Sequence, residues 1–108
     1  MEKPGPHYPL AVVKAAIAKG GSRCFTGSAL LGLQAMGLTT AEALAAIAAL
    51  KGRPRKSMTT LHDHRIWQDV YDLPTSMGIA YVKFTLLDRA GEDDGPKVVI
   101  SFKLKETE

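Results

Sequence analysis

The hydrophobic positions change their spacing near the middle of the chain. In the first half, apolar residues recur three or four positions apart, as at Leu10, Val13 and Ile17, which is the spacing of one helix face. After residue 54, apolar residues alternate with polar ones, as at Val82 and Phe84. The pattern therefore predicts helices first and strands afterwards.

The first two predicted helices are bounded by local start and stop signals. Pro9 suits the first turn of a helix, and Gly20 marks its end. Thr26 or Ser28 can cap a second helix, which we expect to end at Gly37.

A capping box predicts the third helix. Thr39 and Glu42 have the spacing at which each side chain bonds the backbone N–H of the other residue, and an Ala-rich run follows. We expect this helix over residues 40–50, with Gly52 just beyond its end.

The second half predicts an antiparallel sheet. Clear alternation marks two strands, and the glycines and acidic residues at 89–96 indicate a hairpin connection between them. Weaker strand candidates lie at 57–61 and 70–73, and we expect residues 1–8 and 106–108 to be loose tails. The fold class is α+β, with the three N-terminal helices packed on one face of a mainly antiparallel twisted sheet.

Alternation along the strands also predicts which side chains point away from the helices. If Val82 and Phe84 face the core, then Tyr81 and Lys83 face outward, and Lys103 does the same on the last strand. A phenol and two ammonium groups on an open face would suit a polyanion, although an edge-strand aromatic is the plainer interpretation of Tyr81.

Composition bounds the class of protein. With 108 residues, 45% of them hydrophobic and 23% charged, the chain is expected to be a single soluble domain over residues 1–108. The lone Cys24 allows no internal disulfide and is expected to be buried. The N-terminus has no apolar leader and residues 41–50 are too short to span a membrane, so we expect a cytoplasmic protein.

Charge and chemistry concentrate in one stretch. The net charge is only +3, but residues 51–65 contain five Lys or Arg and a single acid, Asp63. Residues 56–71, KSMTTLHDHRIWQDVY, combine cations, an amide, hydroxyls and two histidines, which a packed core does not require. Such a mixture is typical of a site that binds a phosphodiester and transfers protons, because phosphoryl chemistry depends on positioning and charge stabilisation.

The same stretch resembles the MqsR family of bacterial toxins. The phrases KSMTT, DH and IWQDVY within residues 56–71 carry the resemblance, which continues in YVK at 81–83 and ISFK at 100–103. The resemblance implies a small RelE-like fold and a ribosome-independent mRNA interferase that cleaves single-stranded mRNA, at GCU-type sites in the best-known case. It also implies a zinc-binding, helix-turn-helix antitoxin similar to MqsA as the partner, with operator DNA reached only through that antitoxin.

The family's catalytic residues correspond to Lys56, Gln68 and Tyr81 of this chain. We expect the three on one open sheet face, within about 10 Å of each other, the span of one phosphodiester. Lys56 would stabilise charge and Gln68 would donate hydrogen bonds. Tyr81 would transfer a proton if Lys83 and Lys56 lower its pKa.

The remaining candidates surround these three. Arg53, Arg55, Arg65 and Lys83 are candidate RNA-binding cations, and His64 and His62 are candidate accessory residues. The pair of histidines lacks an evident third ligand, so we expect neither a metal nor another cofactor.

Two further functions remain compatible with the sequence. The chain could be a non-catalytic adaptor with a toxin fold that binds an antitoxin and modulates operator DNA binding, or it could be a plain RNA-binding module. Binding alone does not require Lys56, Gln68 and Tyr81 to converge.

Overall fold

The helices form where the sequence supplies both an apolar stripe and a cap. The structure, a computed structural model, describes residues 1–60, 63–86 and 96–106. Its helices are α1, Leu10–Gly20; α2, Gly27–Ala35; and α3, Thr40–Ala49. The side chain of Thr26 caps α2 by accepting a hydrogen bond from Ala29 N, and Thr39 and Glu42 form the predicted capping box of α3.

In the described ranges, five antiparallel strands form the sheet. They are β1, Glu2–Lys3; β2, Lys56–Thr59; β3, Trp67–Thr75; β4, Gly78–Phe84; and β5, Val99–Leu104. Each strand pairs with its neighbours in chain order, from β1 to β5. The α+β class is confirmed, while the RelE-like relationship stays a prediction. Both weak strand candidates are real, and β3 extends well beyond the predicted residues 70–73.

The expectation of a loose N-terminal tail was wrong. Residues 2–3 form β1 against β2, and the ammonium of Met1 donates a hydrogen bond of 3.0 Å to Thr59 Oγ1. A two-residue strand is too short to show alternation, so the sequence carried no local signal for it. Most of the predicted hairpin connection at 89–96 and the last two residues lie outside the described residues.

The buried carboxylate of Asp69 holds the chain that follows β1. It accepts hydrogen bonds from the backbone N–H groups of His7 and Tyr8, each 2.9 Å long, and one of 2.5 Å from Ser57 Oγ. Asp69 is fully buried, and three donors satisfy the charge that burial would otherwise disfavour. The N-terminal segment is therefore fixed to the sheet at two places, β1 and Asp69.

The hydrophobic core joins the helices to one face of the sheet. Buried residues of all three helices cluster with Tyr71, Leu73, Val82 and Phe84 of the strands. Cys24 belongs to the same cluster, as predicted for a small apolar residue.

Helix α2 lies directly against the outermost strand. At Gly32 of α2, a Cβ atom would overlap the carbonyl oxygen of Phe102 in β5, so only glycine allows this approach. Thr26, the cap of α2, also donates to two β5 carbonyls, through its N–H to Val99 O and through its hydroxyl to Ile100 O. The outer edge of β5 is thus covered by α2.

None of the described helices is by itself long and apolar enough to cross a membrane. Only α2 and α3 counted together reach that length and composition, and they bend by 95° where they meet.

Candidate active site

The strand register places the predicted catalytic residues on one face of the sheet. Lys56 pairs with Val70, and Val70 pairs with Lys83, so all three project from the same face. Gln68 lies two residues before Val70, and Tyr81 lies two residues before Lys83, so both share this face as well. None of the five belongs to the core cluster under the helices, and we call their side of the sheet the open face.

The register also sets the spacing on the open face. Lys56 and Gln68 are diagonal neighbours on adjacent strands, roughly 7 to 8 Å apart. Gln68 and Tyr81 are also on adjacent strands but four residues out of step, so their Cα atoms are roughly 14 Å apart. This backbone spacing does not test the expected 10 Å between the side chains, so that expectation stays a prediction.

Lys56 lies beside a carboxylate from the N-terminal strand. Its Nζ is 3.7 Å from Oε1 of Glu2, and the two side chains keep 37% and 61% of their exposure. Glu2 pairs with Met58, which in turn pairs with Gln68, so Glu2 also belongs to the open face. The pair is therefore open to solvent and to a ligand.

Gln68 is more buried than a surface amide. Only 9% of the residue is exposed, yet within the described residues its amide makes no hydrogen bond. Its two N–H donors remain available to an oxygen that reaches the floor of the open face.

The pKa of Tyr81 is raised, contrary to the expectation that Lys83 and Lys56 lower it. Burial of the phenol is the largest cause. Arg55 lowers the pKa, whereas the carboxylates of Asp72 and Glu2 raise it further. A phenol with a raised pKa keeps its proton near neutral pH, so Tyr81 is suited to donate a proton rather than to accept one.

Two ammonium groups flank the ring of Tyr81. Lys103 Nζ is 5.2 Å and Lys83 Nζ is 5.7 Å from the ring centroid. Both distances are within the range of cation–π attraction. Lys103 pairs directly with Tyr81 across β4 and β5, so the phenol lies in a cationic setting without being ionised by it.

Lys83 is the open-face cation whose charge is most perturbed. Burial, followed by repulsion from Lys103 and Lys56, lowers its pKa. The burial of Lys83 agrees with the strand register. Lys83 is paired with Val70, which is fully buried although it lies on the open face. A phosphate beside Lys83 would relieve this repulsion between ammonium groups.

Asp72 binds two cations of the open face. Its Oδ2 lies 2.8 Å from Lys105 Nζ and 3.5 Å from Arg55 Nε, while its Oδ1 is buried and has no hydrogen-bond partner among the described residues. Asp72 pairs with Tyr81 across β3 and β4. The candidate cation Arg55 thus reaches the neighbourhood of Tyr81, but it is partly neutralised there.

The other predicted residues that the structure describes lie outside the strands, in the connections before and after β2. Arg53 is exposed and its guanidinium lies against Gly5 of the N-terminal segment, where a Cβ atom would come within 2.7 Å of Nη2. Arg65 donates two hydrogen bonds of 3.0 Å to Asp63 and lowers the pKa of that carboxyl to about 2. His64 is exposed in the same β2–β3 connection, and His62 lies outside the described residues.

Sequence reasoning missed three contributors to this site. Glu2 was placed in a loose tail, and Asp72 carried no motif. Lys103 was predicted to face outward but was not assigned to the site, although the alternation of Ser101 and Lys103 was the available signal. In the described part of the chain, no three His, Cys, Asp or Glu side chains converge as they would around a metal ion.

Together, the fold and the site define a small α+β protein whose open sheet face carries cations, an amide and a protonated phenol. Residues 5–104 match the family described as motility quorum-sensing regulator, toxin of MqsA. The chain is also 38% identical over 106 residues to the mRNA interferase toxin MqsR of Escherichia coli strain K12, covering 97% of this chain and 100% of that protein. The chain therefore belongs to the MqsR toxin family, as the sequence of residues 56–71 predicted.

Proposed function

We propose that this protein is a ribosome-independent endoribonuclease toxin that cleaves single-stranded mRNA by metal-free attack of a ribose 2′-hydroxyl. The relative in Escherichia coli is named an mRNA interferase toxin. The observation that carries the proposal to this chain is the shared open face of Lys56, Gln68 and Tyr81. An RNA-binding module or an adaptor would not need a proton donor at the centre of its cationic surface.

Each residue has a separate role in the proposed reaction. Lys56 and Lys83 stabilise the negative charge that grows on the phosphorane oxygens, and Gln68 adds amide donors to the same oxygens. Tyr81, which holds its proton, protonates the departing 5′-oxygen. No cofactor takes part in this sequence of events.

The shape of the site favours an unpaired strand as substrate. The open face is a sheet surface with side chains rising from its floor, and an unpaired strand can lay its phosphates and splayed bases along such a surface. A cleavage preference for GCU-type sequences is the family's expectation. The bases on either side of each cut would reveal it.

The proposed protein partner is an antitoxin similar to MqsA, a zinc-binding protein with a helix-turn-helix domain. The family description names its members as toxins of MqsA. Operator DNA would then be contacted only through the antitoxin. We place the free toxin in the cytoplasm, where its mRNA substrate is.

Cleavage of a long single-stranded RNA in excess EDTA tests the reaction. The proposal expects cutting to continue, leaving 5′-hydroxyl ends and 2′,3′-cyclic phosphates, because the 2′-oxygen is the nucleophile. Loss of cutting in EDTA with rescue by one divalent ion would contradict the mechanism. RNA that binds but stays intact under all conditions would favour the adaptor or the RNA-binding module.

Salt dependence tests the binding of the RNA backbone. A substitution that removes one cation from a phosphate should reduce the slope of log affinity against log salt by about 1. Lys103→Gln, on the open face, should show this reduction, whereas the matched change Lys19→Gln on α1 should leave the slope unchanged. Equal slopes for parent and Lys103→Gln would place the RNA elsewhere.

A further inference from the structure

The proposed reaction still lacks a group that removes the proton from the 2′-hydroxyl. Tyr81 keeps its proton, and the amide of Gln68 cannot accept one at neutral pH. The lysines of the open face, Lys56, Lys83 and Lys103, are ammonium donors with no acceptor lone pair while they are charged. The base has to be another side chain of this face or its rim.

Two carboxylates project from the described strands of the open face, and they differ in availability. Asp72 has one oxygen bound by Lys105 and Arg55 and the other buried. Among the described residues Glu2 has one ion-pair partner, Lys56 at 3.7 Å, and its side chain is 61% exposed. A substrate can reach Glu2 without breaking a buried network.

Glu2 is also held in position, although it lies next to the chain end. β1 pairs Glu2 with Met58, and the ammonium of Met1 is bonded to Thr59 Oγ1. The following segment is fixed by Asp69 through the N–H groups of residues 7 and 8. The Glu2 carboxylate is therefore held on the open face by a strand that is fixed by contacts before and after it in the chain.

We propose that Glu2 is the general base of the cleavage reaction, acting beside Lys56 and opposite the acid Tyr81. This inference rests on the proposed ribonuclease function. A Glu2 oxygen takes the proton of the 2′-hydroxyl as the 2′-oxygen forms its bond to phosphorus. The bond from phosphorus to the 5′-oxygen breaks, and that oxygen takes the proton of Tyr81. The products are a 2′,3′-cyclic phosphate and a 5′-hydroxyl, after which Glu2 releases its proton to water and Tyr81 regains one.

The placement of Lys56 fits this assignment. An ammonium 3.7 Å from the carboxylate can contact the base and the reacting phosphate at the same time. The charge of Glu2 also reaches Tyr81, where it helps to raise the pKa of the phenol.

Glu2→Gln is the central test, made in protein with no added residues before Met1. Gln can still accept a hydrogen bond from Lys56, so the position of the lysine is kept while the basicity is lost. We expect kcat to fall between about a hundredfold and ten-thousandfold with little change in KM. Unchanged kcat in Glu2→Gln, with an active parent, would overturn this inference and leave the ribonuclease function standing. An inactive parent would overturn the function itself.

Chemical rescue separates a base from a structural ion pair. In Glu2→Ala, added formate should restore cleavage in proportion to its concentration, while chloride at the same ionic strength should not. Unfolding by urea should match the parent, because an exposed ion pair contributes little to stability. Equal effects of formate and chloride would contradict the assignment.

Lys83→Arg tests the remaining rival for the base. Arginine keeps the positive charge but does not lose its proton in proteins. If Lys83 only stabilises charge, the activity that Lys83→Arg retains, whatever its size, should still fall sharply when Glu2→Gln is added to it. An inactive but folded Lys83→Arg, together with an active Glu2→Gln, would move the base to Lys83.

Discussion

Replacing Tyr81 with Phe removes one hydroxyl group from the open face and leaves the ring. The ring contacts with Lys103 and Lys83, 5.2 and 5.7 Å from its centroid, do not depend on that hydroxyl. The phenol lies outside the core cluster, so the change opens no core cavity. We expect Tyr81→Phe to fold normally and to bind RNA with nearly the parent affinity.

The expected loss is in the chemical step. Burial and two carboxylates keep Tyr81 protonated, so its contribution is that of a general acid. Such a group contributes between about a hundredfold and ten-thousandfold in rate, equivalent to roughly 3 to 5 kcal/mol of transition-state stabilisation. The fall should be in kcat, with KM almost unchanged, because the hydroxyl acts only as the 5′-oxygen departs.

A substrate with an altered leaving group makes the assay specific. When sulfur replaces the bridging 5′-oxygen, the departing thiolate needs no proton, so the difference between Tyr81→Phe and the parent should largely disappear. Tyr71→Phe is the matched control, since Tyr71 is a buried tyrosine on the helix side of the sheet. It should cleave both substrates as the parent does.

Either of two results would refute this reasoning. Tyr81→Phe could be as active as the parent on ordinary RNA, in which case the phenol transfers no proton. Alternatively, the variant could be equally impaired on both substrates, in which case the hydroxyl positions the RNA or stabilises the phosphorane instead. If wild-type expression arrests growth and Tyr81→Phe expression arrests it equally, the family's site does not operate in this chain.

Three further predictions concern other parts of the site and its support. Gln68→Ala should lower kcat about a hundredfold, since one oxyanion donor is worth about 3 kcal/mol, and RNA affinity measured by titration should stay constant. Asp69→Ala leaves the N–H groups of residues 7–8 and the hydroxyl of Ser57 without their acceptor, so urea unfolding should show a loss of about 3 kcal/mol and hydrogen exchange should accelerate at those amides. Burial raises the pKa of Tyr71 to about 12. Its folded form therefore holds a proton that the unfolded chain loses near pH 10, and stability falls as the pH rises from about 10 to 12. Between these pH values the free energy of unfolding of Tyr71→Phe, measured in urea, should fall by roughly 2 to 3 kcal/mol less than that of the parent.

The helices could be predicted because their signals are local. The stripe of Val13 and Ile17 lies within one helix, and the capping box of Thr39 and Glu42 spans a single turn. The direction of Tyr81 was also predictable, since alternation along one strand determines it.

What the sequence could not show depends on contacts between distant residues. Asp69 receives one hydrogen bond from Ser57, which is 12 positions away in the chain. It receives two more from His7 and Tyr8, which are 62 and 61 positions away. The pKa of Tyr81 depends on Arg55, Asp72 and Glu2, which lie on or beside three other strands. No local sequence pattern encodes which strands become neighbours. The surroundings of the Tyr81 phenol could therefore be described only once the pairing of the strands was known.

The glycine at position 32 has a consequence for how the protein meets other chains. An uncovered outer strand offers a row of N–H and C=O groups to which a foreign strand can add, a common route to partner binding and to aggregation. Here α2 covers that row on β5, and the covering depends on the absence of a single methyl group. A larger residue at this position would push the helix away from β5 and expose the row to a foreign strand. Strand addition at β5 therefore requires α2 to move away first.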